Sequence, residues 1–134
     1  MVKDPKKVAV PRPTDAELAI LRVLWDRGPS TVREVHEALR SSQSSGYTSV
    51  LKFLQIMTDK GLVVRDETNR AHVYGPKVSE QRTQLQLLSD LVDRAFAGSS
   101  AKLVLQALSG RRATRKELRD IRALLDQLEE RKPQ

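Results

Sequence analysis

One short motif, Thr-x-x-Glu, occurs three times in this sequence, and each copy stands directly before apolar residues at helical spacing. The copies are Thr14-x-x-Glu17, Thr31-x-x-Glu34 and Thr114-x-x-Glu117. In such a capping box the threonine hydroxyl accepts a hydrogen bond from the third helical N–H, and the glutamate carboxylate accepts one from the threonine N–H. The motif therefore predicts three helix starts.

The first half of the chain holds three helical segments in close succession. The first covers residues 14–27 and is followed by a Gly-Pro pair, which ends a helix and cannot continue it. The second opens at Thr31 and fades into the turn-rich segment SSQSSG at residues 41–46. The third covers residues 47–60, and Gly61 ends it.

Two Val-rich runs, LVVRDE and RAHVYGP, follow the third helix, with a polar break between them. Such runs predict a two-stranded hairpin. Because Thr68-Asn69 is not a favoured pair for a tight turn, we expect a loop of three or four residues, as is common for longer hairpin connections. Three helices followed by a hairpin are typical of a winged helix-turn-helix.

From Ser79 onward no strand pattern is found, and three further helices are predicted. The first ends at Gly98 and carries one apolar stripe: Leu85, Leu88, Val92, Ala95 and Phe96. The second is SSAKLVLQALS, which is apolar on most sides. The third has leucine or isoleucine at residues 118, 121, 125 and 128, the a/d rhythm of a helix whose seam meets another helix.

These stripes exceed what three short helices can hide by themselves, which predicts burial against a second copy of the chain. The candidate dimerisation residues are spread over all three helices: Leu88, Val92, Phe96, Leu103, Leu118, Ile121, Leu125 and Leu128. The alternative is a three-helix appendage that packs on the winged domain.

The third helix carries the candidate DNA contacts. With Val50, Phe53, Leu54 and Met57 turned inward, a polar set faces outward: Thr48, Ser49, Lys52 and Gln55, with Tyr47 at the helix start. Gln pairs bidentately with adenine, and Lys binds guanine or phosphate. On or beside the hairpin tip, where a wing would follow the phosphate backbone, the sequence places Arg65, Arg70 and His72. The alternatives are an ordinary solvated helix face and an adaptor that uses this face to bind protein.

The predicted fold is mainly α with a small β-hairpin wing. A basic flexible arm at residues 1–13 precedes a winged helix-turn-helix domain at residues 14–78, and an α-helical dimerisation domain follows at residues 79–134.

The composition favours some classes of function and excludes others. The chain has 24 Lys and Arg against 17 Asp and Glu, a net charge of +7, which favours polyanionic partners such as nucleic acid. It has no cysteine, and His36 and His72 alone do not make a metal site, so neither a metal nor a cofactor is predicted. No apolar run approaches the roughly 20 residues of a membrane span, and a cytoplasmic protein without membrane insertion is expected. Motifs of enzyme active sites are missing, so no catalytic activity is predicted.

The stretches TDAELAILRVLWDRGPSTVREVHEAL and GYTSVLKFLQIMTDKGLVVRDETNRAHVYGP closely resemble the penicillinase-repressor (BlaI/MecI-type) family of bacterial transcriptional regulators. The likeness extends over nearly the whole chain. It implies a winged-helix domain that binds palindromic operators as a homodimer held by its C-terminal helices. It also implies repression that is relieved when a membrane-bound sensor's signal leads to proteolysis in the second domain.

The chain departs from the family pattern in three places. Where well-known members are cut between Asn and Phe, this sequence has Gln106-Ala107. It lacks the C-terminal cysteines of copper-responsive relatives. On the third helix, Leu51 and Ile56 stand where antibiotic-resistance repressors carry basic residues, so the operator sequence of those repressors does not transfer.

Overall fold

The computed structural model describes residues 11–40 and 46–131. Residues 1–10 of the predicted arm, and residues 41–45 of the predicted turn, lie outside the described residues. Within the described ranges the chain forms six helices and three strands: α1 (Asp15–Arg27), β1 (Ser30–Thr31), α2 (Val32–Leu39), α3 (Tyr47–Lys60), β2 (Val63–Asp66), β3 (Val73–Pro76), α4 (Glu80–Ala95), α5 (Ser100–Gly110) and α6 (Arg115–Glu130). The predicted fold class, mainly α with a small β wing, is confirmed.

All three capping boxes are formed. The hydroxyls of Thr14, Thr31 and Thr114 accept hydrogen bonds from the glutamate N–H groups at 3.2, 3.2 and 3.0 Å. The glutamate Oε1 atoms accept from the threonine N–H groups at 2.9, 2.9 and 2.8 Å. The three predicted helix starts are therefore confirmed. Gly61 ends α3 in the left-handed region, at φ 85°, as the sequence predicts.

The sheet has three strands rather than the two predicted. Its order is β1-β3-β2, and both neighbouring pairs are antiparallel. The additional strand, β1, is only two residues long and places Ser30 opposite Tyr74 and Thr31 opposite Val73. This strand joins the region between α1 and α2 to the hairpin.

The hairpin loop is longer than the three or four residues predicted. Asp66 is paired with Val73, so the loop runs over the six residues 67–72. An Asp66 carboxylate oxygen accepts hydrogen bonds from both the N–H and the hydroxyl of Thr68. This local turn explains the difference, because the chain folds back on Asp66 before it returns to the sheet.

The chain divides into two compact units, one that ends at Ser89 and one that starts at Asp90. The boundary predicted from the sequence lies between residues 78 and 79, before α4. The division between the two observed units instead falls inside α4. The first unit has a continuous apolar core: Ile20, Leu21, Leu24, Val32, Val35, Leu39, Val50, Leu54, Met57, Leu62, Val63 and Tyr74. At its edge the Trp25 indole N–H donates to the Val78 carbonyl at 3.0 Å.

The second unit contains the end of α4 together with α5 and α6. Ala97 and Gly98 have positive φ angles of 51° and 79° and turn the chain after α4. Neither α5 nor α6 has a buried residue. No helix within residues 11–40 and 46–131 is both long and apolar enough to cross a membrane.

Candidate nucleic-acid interface

Helix α3 has one buried and one exposed face. Val50, Leu54 and Met57 are buried in the core, and Phe53 is partly buried against it. The opposite face is exposed and polar, and the structure brings together on it the side chains predicted from the sequence: Thr48, Ser49, Lys52 and Gln55. Because i, i+3 and i+4 positions are neighbours on a helix, these four groups form one continuous surface.

An ion pair at the far end of α3 holds the helix against α1. Lys60 Nζ lies 2.6 Å from Glu17 Oε1 and 3.4 Å from the Arg12 carbonyl oxygen. Burial by itself raises the pKa of Glu17. The hydrogen bond from Lys60, that from the Thr14 backbone and the Lys60 charge outweigh burial and lower this pKa below its ordinary value. The capping carboxylate of α1 thus also fixes the position of α3.

A cleft beside the start of α3 brings the wing loop close to the helix. It is lined by Tyr47 of α3, Arg70 and His72 of the loop, and Arg33 of α2. The Tyr47 ring makes an edge-to-face contact with His36, with centroids 6.1 Å apart. Sequence reasoning missed Arg33. It lies in the first turn of α2, and it lines the cleft because the fold brings the hairpin loop next to this turn.

Arg65 differs from the other predicted wing residues because it is already engaged. Its Nε lies 2.6 Å from Glu67 Oε2. A hydrogen bond with the Tyr74 side chain, and next the charge of Glu67, raise the pKa of Arg65 above its ordinary value. Arg70 and His72 are exposed in the loop.

Leu51 and Ile56, the two apolar residues of α3 that depart from the family pattern, have different surroundings. Leu51 is partly buried against the core, so it does not belong to the exposed polar face. Ile56 is 42% exposed, next to Gln55 and one turn beyond Lys52. An exposed isoleucine on an otherwise polar face offers apolar contact to a thymine methyl group.

The predicted dimerisation residues fall into three groups by exposure. Val92 is only 8% exposed within the single chain, so little of its surface is left for a partner. Phe96, Leu103, Leu118 and Ile121 are partly buried. Leu88, Leu125 and Leu128 are exposed, and further apolar side chains that the sequence reasoning did not select are exposed as well: Leu91, Val104, Leu105, Leu108 and Leu124.

Three helices, a three-stranded sheet that ends in a hairpin, and an exposed polar face on the third helix define a winged helix-turn-helix DNA-binding domain. The sequence matches the family model described as penicillinase repressor over residues 13–127. The chain belongs to the penicillinase repressor family, as the resemblance implied. Membership in this family makes it a DNA-binding transcriptional repressor, and a protein-binding adaptor is not favoured.

The chain is also similar to individual proteins and to a solved structure. The chain is 36% identical to "Transcriptional regulator BlaI" of Mycobacterium tuberculosis (strain ATCC 25618 / H37Rv) over 92 residues, which cover 68% of this chain and 67% of the relative. It is 22% identical to "Penicillinase repressor" of Bacillus licheniformis over 123 residues, which cover 92% and 96% of the two chains. A solved structure, the DNA binding domain of the repressor BlaI in solution, aligns with a TM-score of 0.49 and 25% identity over 55% of this chain and 89% of that domain.

Proposed function

We propose that the protein represses transcription as a homodimer that binds a palindromic operator through α3 and the hairpin. The observation that carries this proposal is the exposed face of α3, on which Thr48, Ser49, Lys52 and Gln55 lie side by side while the opposite face is buried. A helix held in this way by the core can enter a major groove without rearrangement.

Within the groove, Gln55 and Lys52 supply the contacts with the greatest power to discriminate bases. Gln55 can bind adenine with both ends of its amide, and Lys52 can bind guanine or a phosphate. A good bidentate contact favours the right base by about 1–3 kcal/mol. Thr48 and Ser49, one to two turns earlier, reach bases or the backbone.

The wing loop supplies contacts to phosphates. Arg70, His72 and Arg33 surround the cleft next to Tyr47, so cationic and polar groups flank the start of α3 on the side of the hairpin. Phosphate contacts fix the position of a protein on the duplex and carry no base information. Arg65 can join them while it stays bound to Glu67, because a guanidinium has five N–H donors.

Dimerisation is supported by the apolar surface of the second unit. Leu105 is 66% exposed and Leu124, Leu125 and Leu128 are each 50–52% exposed, which is costly for a chain that stays alone. Two winged domains joined in this way read half-sites about one helical turn apart, roughly 34–36 Å. Linking two sites raises avidity by a factor of order 10² to 10⁴.

The link between the two winged domains is also where repression can be controlled. A dimer seated over a promoter blocks RNA polymerase, and it leaves when the link between its halves is weakened. We place the control of the protein in the second unit, through a signal from a membrane-bound sensor that leads to proteolysis there or through another signal that weakens the dimer. Gln106 and Ala107 are exposed on α5.

Fluorescence anisotropy of the full chain tests the proposal, with a duplex from its own promoter and a scrambled duplex of the same composition, at low and physiological salt. We expect promoter-selective binding at two chains per duplex that weakens steeply with salt. Lys52→Ala and Gln55→Ala should each lower promoter affinity about 10-fold, and Gln55→Ala should also reduce selectivity. The matched controls Gln81→Ala and Lys102→Ala, at exposed positions of α4 and α5, should bind as the unmodified chain does.

Two outcomes would contradict the proposal. Equal and weak binding to both duplexes would mean that the protein binds DNA without reading its sequence. No affinity for any duplex, at any salt concentration, would point to an adaptor that binds protein.

A further inference from the structure

Most charges of α6 are ordered against the dipole of the helix. Basic residues occupy its first half, namely Arg115, Lys116, Arg119 and Arg122, and acidic residues occupy its last turns, namely Asp126, Glu129 and Glu130. A helix on its own favours the opposite order, with acids at its start and bases at its end. The two acids of the first half also interact within the helix, since one carboxylate oxygen of Glu117 accepts from the Thr114 N–H and Asp120 pairs with Lys116 at 2.9 Å. A partner helix with the reverse order of charges would compensate for the charge order of α6.

The apolar seam of α6 has the same spacing in both directions. Its members, Leu118, Ile121, Leu125 and Leu128, are separated by 3, 4 and 3 residues, so the seam is symmetric about residue 123. When two such helices lie antiparallel, Leu118 faces the partner's Leu128 and Ile121 faces the partner's Leu125. Every seam residue then has an apolar counterpart.

The first flank of this seam consists of Arg115, Arg122 and Glu129, at intervals of seven residues. In an antiparallel pair each flank meets the same flank of the partner in reverse order. Arg115 then faces the partner's Glu129, and the symmetric contact repeats at the other end. Arg122 meets its own counterpart at the centre, where both guanidinium groups can extend into solvent.

The second flank consists of Glu117, Leu124 and Arg131. The same antiparallel arrangement places Glu117 opposite the partner's Arg131 and Leu124 opposite the partner's Leu124. Leu124 is 52% exposed in the single chain, so this contact covers the part of its apolar surface that the described residues leave exposed. Both flanks thus carry opposite charges at their two ends.

A parallel pair of α6 helices gives these residues less favourable contacts. In it, the second flank of one helix meets the first flank of the other, so that Glu117 faces the partner's Arg122 and Leu124 faces the partner's Glu129. That arrangement has two ion pairs, against four in the antiparallel one, and it leaves Leu124 beside a carboxylate. Flanking charges of this kind are known to set the orientation of paired helices.

We infer that α6 pairs with α6 of a second copy of this chain in antiparallel orientation, centred on residue 123. The inference rests on the proposed homodimer and specifies which helix faces meet in it and in which direction.

Engineered cysteines test the orientation, because the chain has none of its own. Three variants of the full chain are oxidised after sedimentation has established that they are dimers: Leu118→Cys, Leu128→Cys and the double variant. In the antiparallel pair, equivalent positions lie ten residues apart along the axis, about 15 Å, which is beyond the reach of a disulfide. The single variants should therefore stay uncrosslinked while the double variant crosslinks. Ala123→Cys, on the outer face of α6, is the control that should not crosslink.

Self-crosslinking of both single variants would overturn the inference in favour of a parallel pair, and a double variant that remains uncrosslinked would remove α6 from the interface. Absence of a dimer in the unmodified chain would instead overturn the proposed homodimer itself.

A charge reversal tests the inference without touching the seam. Arg115→Glu alone should weaken the dimer roughly five-fold, since two symmetric surface ion pairs become repulsive. Adding Glu129→Arg should restore the original dissociation constant. Failure of the second change to restore it would contradict the antiparallel register.

Discussion

The two compact units differ in where their apolar side chains lie. The unit that ends at Ser89 buries a continuous core drawn from α1, α2, α3 and the sheet. In the unit that starts at Asp90, α5 and α6 bury no residue, and leucines stay exposed along both helices. Since apolar burial is the main favourable term in folding, the first unit contains its own source of stability. In the proposed homodimer, the second unit would obtain much of its stability from the partner copy.

Charges placed in the apolar seam of α6 test whether the second unit depends on a partner copy. Ile121→Asp together with Leu125→Asp should produce monomers, because burying carboxylates in an apolar seam is strongly unfavourable. Operator affinity should fall by a factor of order 10² to 10⁴ as the two-site attachment is lost. Sedimentation measures the first effect and anisotropy the second.

The control for this double variant is Ala123→Asp together with Gln127→Asp, which adds the same charges at exposed positions of α6 outside its seam. This variant should remain dimeric. A persistent dimer in Ile121→Asp/Leu125→Asp would place the interface elsewhere.

A cavity in the core of the first unit should lower the free energy of unfolding of a single chain, with or without a partner. Leu54 has no exposed surface, and Leu54→Ala should lower the free energy of unfolding by about 2–5 kcal/mol. We expect this loss in urea titrations at every protein concentration, because the core is made within one chain. Ile56→Ala, two residues along the same helix but exposed, should change the free energy of unfolding by less than about 0.5 kcal/mol. Equal losses for the two variants would show that α3 does not have a buried and an exposed face.

The ion pair between Glu17 and Lys60 gives the first unit a pH dependence. Because the pKa of Glu17 is lowered in the folded chain, its contribution is fully present above the ordinary value of about 4.3. The contribution is lost as the pH falls through the lower, folded-state value. Glu17→Gln should cost about 1–3 kcal/mol at neutral pH, and this difference from the unmodified chain should shrink as the solution becomes more acidic.

Urea titrations from pH 7 to pH 3 measure this difference. Glu34→Gln is the matched control, since it alters a capping box of the same form that has no lysine partner among the described ion pairs. A difference between Glu17→Gln and the unmodified chain that stays constant over this range would contradict a role for the Glu17 charge.

The features that could be predicted from the sequence are local. The capping boxes at Thr14, Thr31 and Thr114 place helix starts correctly because their hydrogen bonds span only three residues. The two faces of α3 follow from helical spacing in the same way. For the same reason the exposed polar surface of the candidate site could be predicted residue by residue.

The features that were missed depend on partners distant in the chain. β1 is two residues long and exists only because Thr31 meets Val73, so no pattern around residue 30 indicates a strand. Arg33 reaches the candidate site only because this pairing brings the hairpin loop next to α2. The engagement of Arg65 by Glu67 depends on the side-chain geometry of the folded hairpin.

Thr31 belongs both to β1 and to the cap of α2. It lies opposite Val73 of β3, while its hydroxyl and N–H hold Glu34 in the first turn of α2. Since one residue serves both elements, the pairing with the hairpin and the start of α2 are fixed at the same point. In the proposed complex, a force that DNA exerts on the wing would therefore reach α2 through Thr31.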